Sequence, residues 1–221
     1  MRGLYRIAGI LLATTAMAGA AHGETLRWSA TTDPSTMDPH AANLAPVTSF
    51  LNNIYEGLIR RGKDMTLEPS LATSWEPLEN EDGWRFNLRE GVTFHDGSAF
   101  TADDVLFSYE RGISEQSDVR SWFAPVSEVR VVDELTVDIV LSAPNPIFPD
   151  SIANWMIMDR DWTEANGSAQ PARDAVTATT LEANGTGPFM LEAREPGVRT
   201  TLAPNPDWWD TPEHKTRSKV T

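Results

Sequence analysis

Residues 84–109, WRFNLREGVTFHDGSAFTADDVLFSY, constrain the fold of this chain more than any other stretch. Trp84, Phe86 and Leu88 alternate with Arg85, Asn87 and Arg89, the period of a strand with one buried and one wet face. Glu90-Gly91 turns the chain, and after Phe94 the run His95-Asp96-Gly97-Ser98 turns it again. Thr101 and Asp104 stand at capping-box spacing, a hydroxyl and a carboxylate placed where a new helix leaves its backbone N–H groups free. Val105, Leu106 and Tyr109 then recur at helical spacing, and the helix should end near Gly112. A strand, an anchored turn and a capped helix this close together need a core that mixes α and β elements.

The rest of the chain agrees with a mixed class. Residues 25–30 (TLRWSA) read as a first strand, and 31–40 as an ordered loop rich in Asp and Pro. Residues 47–58 read as a helix with Phe50, Leu51, Ile54 and Tyr55 on one face and Gly57 at its end. Residues 59–66 read as a polar turn. Hairpins are expected between 72–77 and 84–89 across 79–83, and between 126–132 and 135–141 around Asp133-Glu134. Pro144, Pro146 and Pro149 break the chain; 151–158 is apolar and fits either helix or strand; 159–180 reads as a polar surface excursion. Gly185-Thr186-Gly187-Pro188 introduces a strand over 189–193, paired with 198–202 across Glu195-Pro196-Gly197, and 205–209 is a capped loop. No internal repeat and no low-complexity tract is present.

Residues 1–23 read as a secretory signal peptide. Arg2 and Arg6 precede an uncharged run of roughly a dozen residues, then the small residues 18–23, with cleavage expected after Gly23 rather than after Ala20 or Ala21. The run is shorter than the ~20 residues a membrane span needs. No Cys follows it to take a lipid, so the mature chain is expected free in a bacterial periplasm. Losing Arg2 and Arg6 takes the net charge from −14 to −16, which repels nucleic acid. With no Cys in the chain, disulfides and thiol catalysis are excluded. The basic stretch 214–221 carries no packing pattern.

The chemistry-bearing residue types are scattered. The four histidines (His22, His40, His95, His214) lie nowhere at helical ligand spacing from one another. His95-Asp96 offers two adjacent metal-ligating groups but reads better as a loop anchor. No Gly-x-Ser-x-Gly or Ser-x-x-Lys element is present. With 32 acids, a carboxylate pair suited to sugar hydrolysis arises by chance. Among the eight tryptophans, Trp28, Trp75 and Trp84 sit on strand patterns as core. Trp122, Trp155, Trp162, Trp208 and Trp209 fall near loops, where an exposed indole can line a sugar or peptide site.

Several segments, in order, resemble one family. They are Asp33-Pro-Ser-Thr-Met-Asp-Pro-His40 after the first strand, Asn53-Ile-Tyr-Glu-Gly-Leu58, Leu67-Glu-Pro-Ser-Leu-Ala-Thr-Ser-Trp75, the 84–109 run, Gly185-Thr-Gly-Pro-Phe189 and Asn205-Pro-Asp-Trp-Trp209. Together they are similar to the solute-binding proteins of peptide-type ABC importers, extracellular family 5, over residues 24–213. The resemblance implies an α+β fold of periplasmic-binding-protein type II (cluster C). This chain would hold the first lobe with an inserted subdomain at roughly 60–185 and lack the second lobe, the 214–221 tail marking a truncation or frameshift. It implies a periplasmic ABC-transporter component for peptides or similar small solutes, working with an inner-membrane permease, monomeric, without cofactor or covalent chemistry. Ser35, Thr36 and Met37 match a ligand-facing segment whose backbone can pair with an extended peptide; Tyr55 and Trp155 are further candidate ligand contacts. Phe94, His95, Asp96 and Thr101 read as scaffold. Two other readings stand beside this one: a secreted glycan-active or glycan-binding protein, from the Trp and acid content, and a chaperone-like interaction protein, from apolar surface left where a second lobe would dock.

Overall fold

The computed structural model describes residues 26–30 and 32–210. In chain order the elements are α1 (Ala45–Leu51), β1 (Ile59–Arg61), β2 (Leu67–Pro69), β3 (Ala72–Pro77), β4 (Gly83–Leu88), α2 (Ala102–Gly112), a 3₁₀ turn (Arg120–Phe123), β5 (Val126–Asp133), β6 (Thr136–Leu141), α3 (Phe148–Ser151), α4 (Arg160–Ala165), α5 (Ala178–Leu181), β7 (Phe189–Glu195) and β8 (Arg199–Pro204). Four strands form one antiparallel sheet in the order β3-β4-β6-β5, and β1-β2 and β7-β8 form separate hairpins.

The sheet shows why the alternation in β4 matters. Trp75, Phe86, Val137 and Val131 stand in one register row, and Glu76, Arg85, Asp138 and Arg130 in the next. The first row faces the core, where Phe86 and Val137 are fully buried; covering a side chain the size of Phe86 contributes about 2–3 kcal/mol. The second row lies on the outer face, where Arg85 forks onto Asp138 at 2.7 and 2.8 Å and leaves that carboxylate covered. Helix α2 closes the apolar side. Its start is the capping box expected from sequence: the Thr101 N–H donates to Asp104 Oδ2 at 2.8 Å. Val105 of α2 enters the core under the sheet with Phe94, Phe100, Phe123 and Phe148. Phe107 points into a second core with Met37, Val47, Leu51, Ile54, Tyr55, Met156 and Met158, lined at its edge by Leu191 and Leu202 of the β7-β8 hairpin.

The three hairpins β3-β4, β5-β6 and β7-β8 and the capped helix lie where the sequence places them; several other elements differ. Residues 26–30 form no strand: a strand needs a partner ladder, and this segment has none among the described residues. Trp28, expected in the core, is therefore 61% exposed. The helix expected over 47–58 stops at Leu51. Asn53 turns its side-chain amide back onto the Phe50 carbonyl at 2.9 Å. The carbonyls of Asn53 and Ile54 bond to the N–H groups of Phe189 and Gly187 instead of continuing the helix. Residues 59–66, read as a turn, supply β1 and the β1-β2 loop. Residues 151–158 resolve into the end of α3 followed by an extended passage whose Met156 bridges Gly57. Residues 159–180 are not a surface excursion: they carry α4 and α5 and bury Asp159, Thr163, Ser168 and Thr179. The 1–23 and 214–221 readings lie outside the described residues.

Candidate functional site

The loop over residues 33–40 is exposed at Asp33 and Ser35, buried from Thr36 to His40, and tied down at both ends. At its start, Arg194 of β7 donates to the Pro34 carbonyl and, at 3.4 Å, to Asp33. The Gly197 N–H in the β7-β8 turn adds a bond to Asp33 at 3.1 Å. At its end, Asp38 is almost fully buried and accepts a fork from Arg111 of α2, one arm at 2.8 Å. The Thr179 hydroxyl and the His40 N–H complete the carboxylate's shell at 3.0 and 2.9 Å. Burial alone would push the Asp38 carboxyl up; the Arg111 hydrogen bonds and charge outweigh it and hold the group below the usual carboxylate range. His40 is buried against the Met156 carbonyl at 3.0 Å, and burial with the Arg111 charge lowers its pKa to about 4. Between these anchors Ser35 stays exposed.

A second buried carboxylate fixes the far end of the described chain. Glu56 accepts from Thr186 Oγ1 at 2.9 Å, from the Trp209 indole at 2.8 Å and from the Trp208 indole at 3.2 Å. Burial raises its pKa to about 7 against the pull of those three donors. The Arg89 guanidinium lies over Trp209 at 4.0 Å. The approach demands glycine: a Cβ on Gly185 would lie 2.1 Å from the Ile54 carbonyl oxygen, and one on Gly187 2.6 Å from it.

The His95-Asp96 turn is an anchor of the same kind. His95 Nε2 bonds the Gly187 carbonyl at 3.0 Å while Nδ1 accepts the Gly185 N–H at 3.3 Å, so the ring is neutral with its proton on Nε2. Both ring nitrogens are thereby taken. Asp96 accepts the Ser98 N–H at 3.0 Å and the Ser98 hydroxyl at 2.7 Å. Asn184 ties the turn to the same segment: its Oδ1 accepts the Asp96 N–H at 3.1 Å while its amide donates to Asp159 at 2.9 Å. Asp104 accepts the Arg160 N–H at 3.0 Å, and burial lifts its pKa to about 6.

The five residues singled out from sequence are divided by these contacts. Thr36, Met37 and Tyr55 are buried on the second core side and Trp155 is buried in the core under the sheet, leaving Ser35 as the side chain that reaches solvent. Met37 also spends its N–H on the Thr180 carbonyl. Among the tryptophans, Trp28 is exposed and the others are buried or partly buried, so no stacked indole platform faces solvent among the described residues. No group of three or more His, Asp or Glu is placed to hold a metal ion among them. A depression of about 480 Å³ lined by Ser117, Asp118, Arg120, Ser121, Ala124 and Arg173 is widely open. Sequence reading missed Arg111, Thr179, Arg194 and Glu56. Their partners lie 73, 141, 160 and 130 positions away, beyond any local spacing signal.

The sequence model of the bacterial extracellular solute-binding proteins, family 5 Middle, matches residues 66–220. The periplasmic murein peptide-binding protein MppA of Escherichia coli K12 is 23% identical over 197 residues, covering 80% of this chain and 35% of its own. The probable D,D-dipeptide-binding periplasmic protein DdpA of the same organism is 28% identical over 182 residues, with the same coverage of 80% and 35%. Among solved structures, the periplasmic binding protein AgaA in complex with agropinic acid, from Agrobacterium tumefaciens R10, superposes with a TM-score of 0.71 at 27% identity, covering 81% of this chain and 35% of that one. The chain thus spans about a third of the length of the relatives it matches.

Proposed function

Because the chain belongs to family 5 of the bacterial extracellular solute-binding proteins, we propose that it is the ligand-contacting first part of a periplasmic substrate-binding component that serves an ABC permease. The fold is mixed α/β and of the type II periplasmic-binding-protein kind. Its solute is a peptide or a small molecule of similar size and polarity. Residues 1–23 export it, residues 60–185 form a subdomain inserted in the first lobe, and the protein acts as a monomer. Binding is non-covalent and uses no cofactor; capture is a closure of lobes around the solute. The observation that carries this reading is the family match over 66–220, which runs through the sheet, α2 and the β7-β8 hairpin. The buried carboxylates support binding over catalysis. Asp38, Glu56, Asp104 and Asp159 are each engaged by donors of the chain itself, which suits a rigid support better than a proton-transfer site.

The solute meets the chain at Ser35 and along the adjoining backbone, with the buried side chains of Thr36, Met37 and Tyr55 behind that surface and Trp155 in the core under the sheet. A third of the relatives' length supplies only part of an enclosing wall, so affinity of these residues alone is weak, about millimolar. Calorimetry with trialanine, a dialanine and a maltotriose control tests this. Weak heats with the peptides and none with the sugar are expected. Sugar binding without peptide binding, or cleavage of a chromogenic glycoside, would overturn the reading.

A further inference from the structure

We propose that Arg111 is a positioning residue for ligand capture: helix α2 uses its fork on Asp38 to set the loop that presents Ser35. The proposal rests on the preceding reading, in which that loop meets the solute. Arg111 lies in the last turn of α2, a helix seated on β5 and β6, so its starting point is fixed by the four-stranded sheet. Its side chain is 0% exposed and that of Asp38 2%. All three guanidinium nitrogens are used, two on Asp38 and Nε on the Ser168 carbonyl at 3.2 Å. The Asp38 N–H in turn bonds Thr36 Oγ1 at 3.0 Å, which carries the constraint one step closer to Ser35.

A buried ion pair of this kind gains little over well-packed apolar residues, because both charges lose their water. What it supplies is registry. A planar fork fixes both the position and the tilt of a carboxylate, which a lysine ammonium does not. Arg194 holds the other end of the loop through Pro34 and Asp33, so the exposed residue sits on a span clamped from two separate elements. The sheet unit thereby acquires a function: it is the platform against which the ligand loop is held.

Hydrogen exchange on the whole chain tests this with Arg111→Lys, which keeps the charge and removes the fork. The reporting amides are Met37, His40 and Asp118, bonded to the Thr180 carbonyl, the Asp38 carboxylate and the His40 carbonyl. They are expected to exchange about ten-fold faster, while amides of β4 and β6 hold their rates. If Arg111→Lys does not fold, the apolar pair Arg111→Met with Asp38→Leu removes both charges together and should give the same local pattern at Met37 and Asp118, the His40 amide having lost its acceptor. Equal acceleration everywhere, or none in the loop, would overturn the proposal. Trialanine heats left unchanged by Arg111→Lys would overturn it too, whereas absence of peptide heats with the unaltered chain would overturn the peptide reading and with it the capture role, the exchange rates then reporting the anchoring of the loop alone.

Discussion

Glu56 should give this protein a pH-dependent stability that one substitution removes. Its carboxyl is buried, with a pKa raised from 4.5 to about 7. A folded-state pKa above the unfolded one means that the neutral form is favoured by folding. That contribution is complete below pH 4.5 and is lost as pH rises through 7. The difference of about 2.5 units corresponds to about 3 kcal/mol. The contacts show why the neutral form is tolerated. A protonated Glu56 can donate to Thr186 Oγ1 by reversing that one hydroxyl, and its oxygens still accept from Trp208 and Trp209. Glu56→Gln mimics the neutral charge but turns an NH₂ toward one of those donors, which costs about 1 kcal/mol at every pH. His40, held down to about 4, acts in the opposite direction, and Asp104, raised to about 6, acts in the same one. Both cancel in the comparison of wild type with Glu56→Gln. Urea unfolding followed by tryptophan fluorescence from pH 4.5 to 8 should show the wild type losing about 3 kcal/mol relative to the variant. Parallel pH profiles for the two proteins would refute the assignment of Glu56 as a buried carboxyl that folding keeps neutral.

Other outcomes follow from single contacts. Gly185→Ala, whose methyl would meet the Ile54 carbonyl at 2.1 Å, should cost about 3 kcal/mol or more by urea unfolding, because the obstacle is backbone. Thr101→Ala should lose its hydroxyl contact with Asp104 at 3.2 Å, at a cost of about 1 kcal/mol, with the sheet's near-ultraviolet circular dichroism unchanged. Phe86→Ala, fully buried between the sheet and α2, should cost about 3–5 kcal/mol, detected as a lower urea midpoint with unaltered slope.

How much of this was legible in the sequence follows from how local each cause is. The β3-β4 and β5-β6 hairpins and the start of α2 are written in alternation, turn residues and a cap, all within a few positions of where they act. The end of α1 is not: its apolar face continues to Tyr55, but the carbonyls of Asn53 and Ile54 are claimed by Phe189 and Gly187 from far along the chain. The strand pattern at 26–30 failed for a related reason, since alternation describes a face and cannot supply the neighbouring strand. At the site, the resemblance marked 35–37 as a segment of interest, but the groups that hold it, Arg111, Thr179 and Arg194, are remote in sequence. The polarity of 159–180 suggested solvent, whereas the side chains of Asp159, Ser168 and Thr179 bind other buried polar groups: Asn184, the Thr179 N–H and Asp38.

Whether the loop over residues 33–40 is where this chain meets a peptide-like solute can be read from amide chemical-shift mapping during a titration with trialanine. Saturable shifts are expected at about millimolar peptide, concentrated on Ser35 and its backbone neighbours and absent from the outer face of the β3-β4-β6-β5 sheet. Shifts centred on the Ser117–Arg173 depression, or none anywhere at those concentrations, would contradict it.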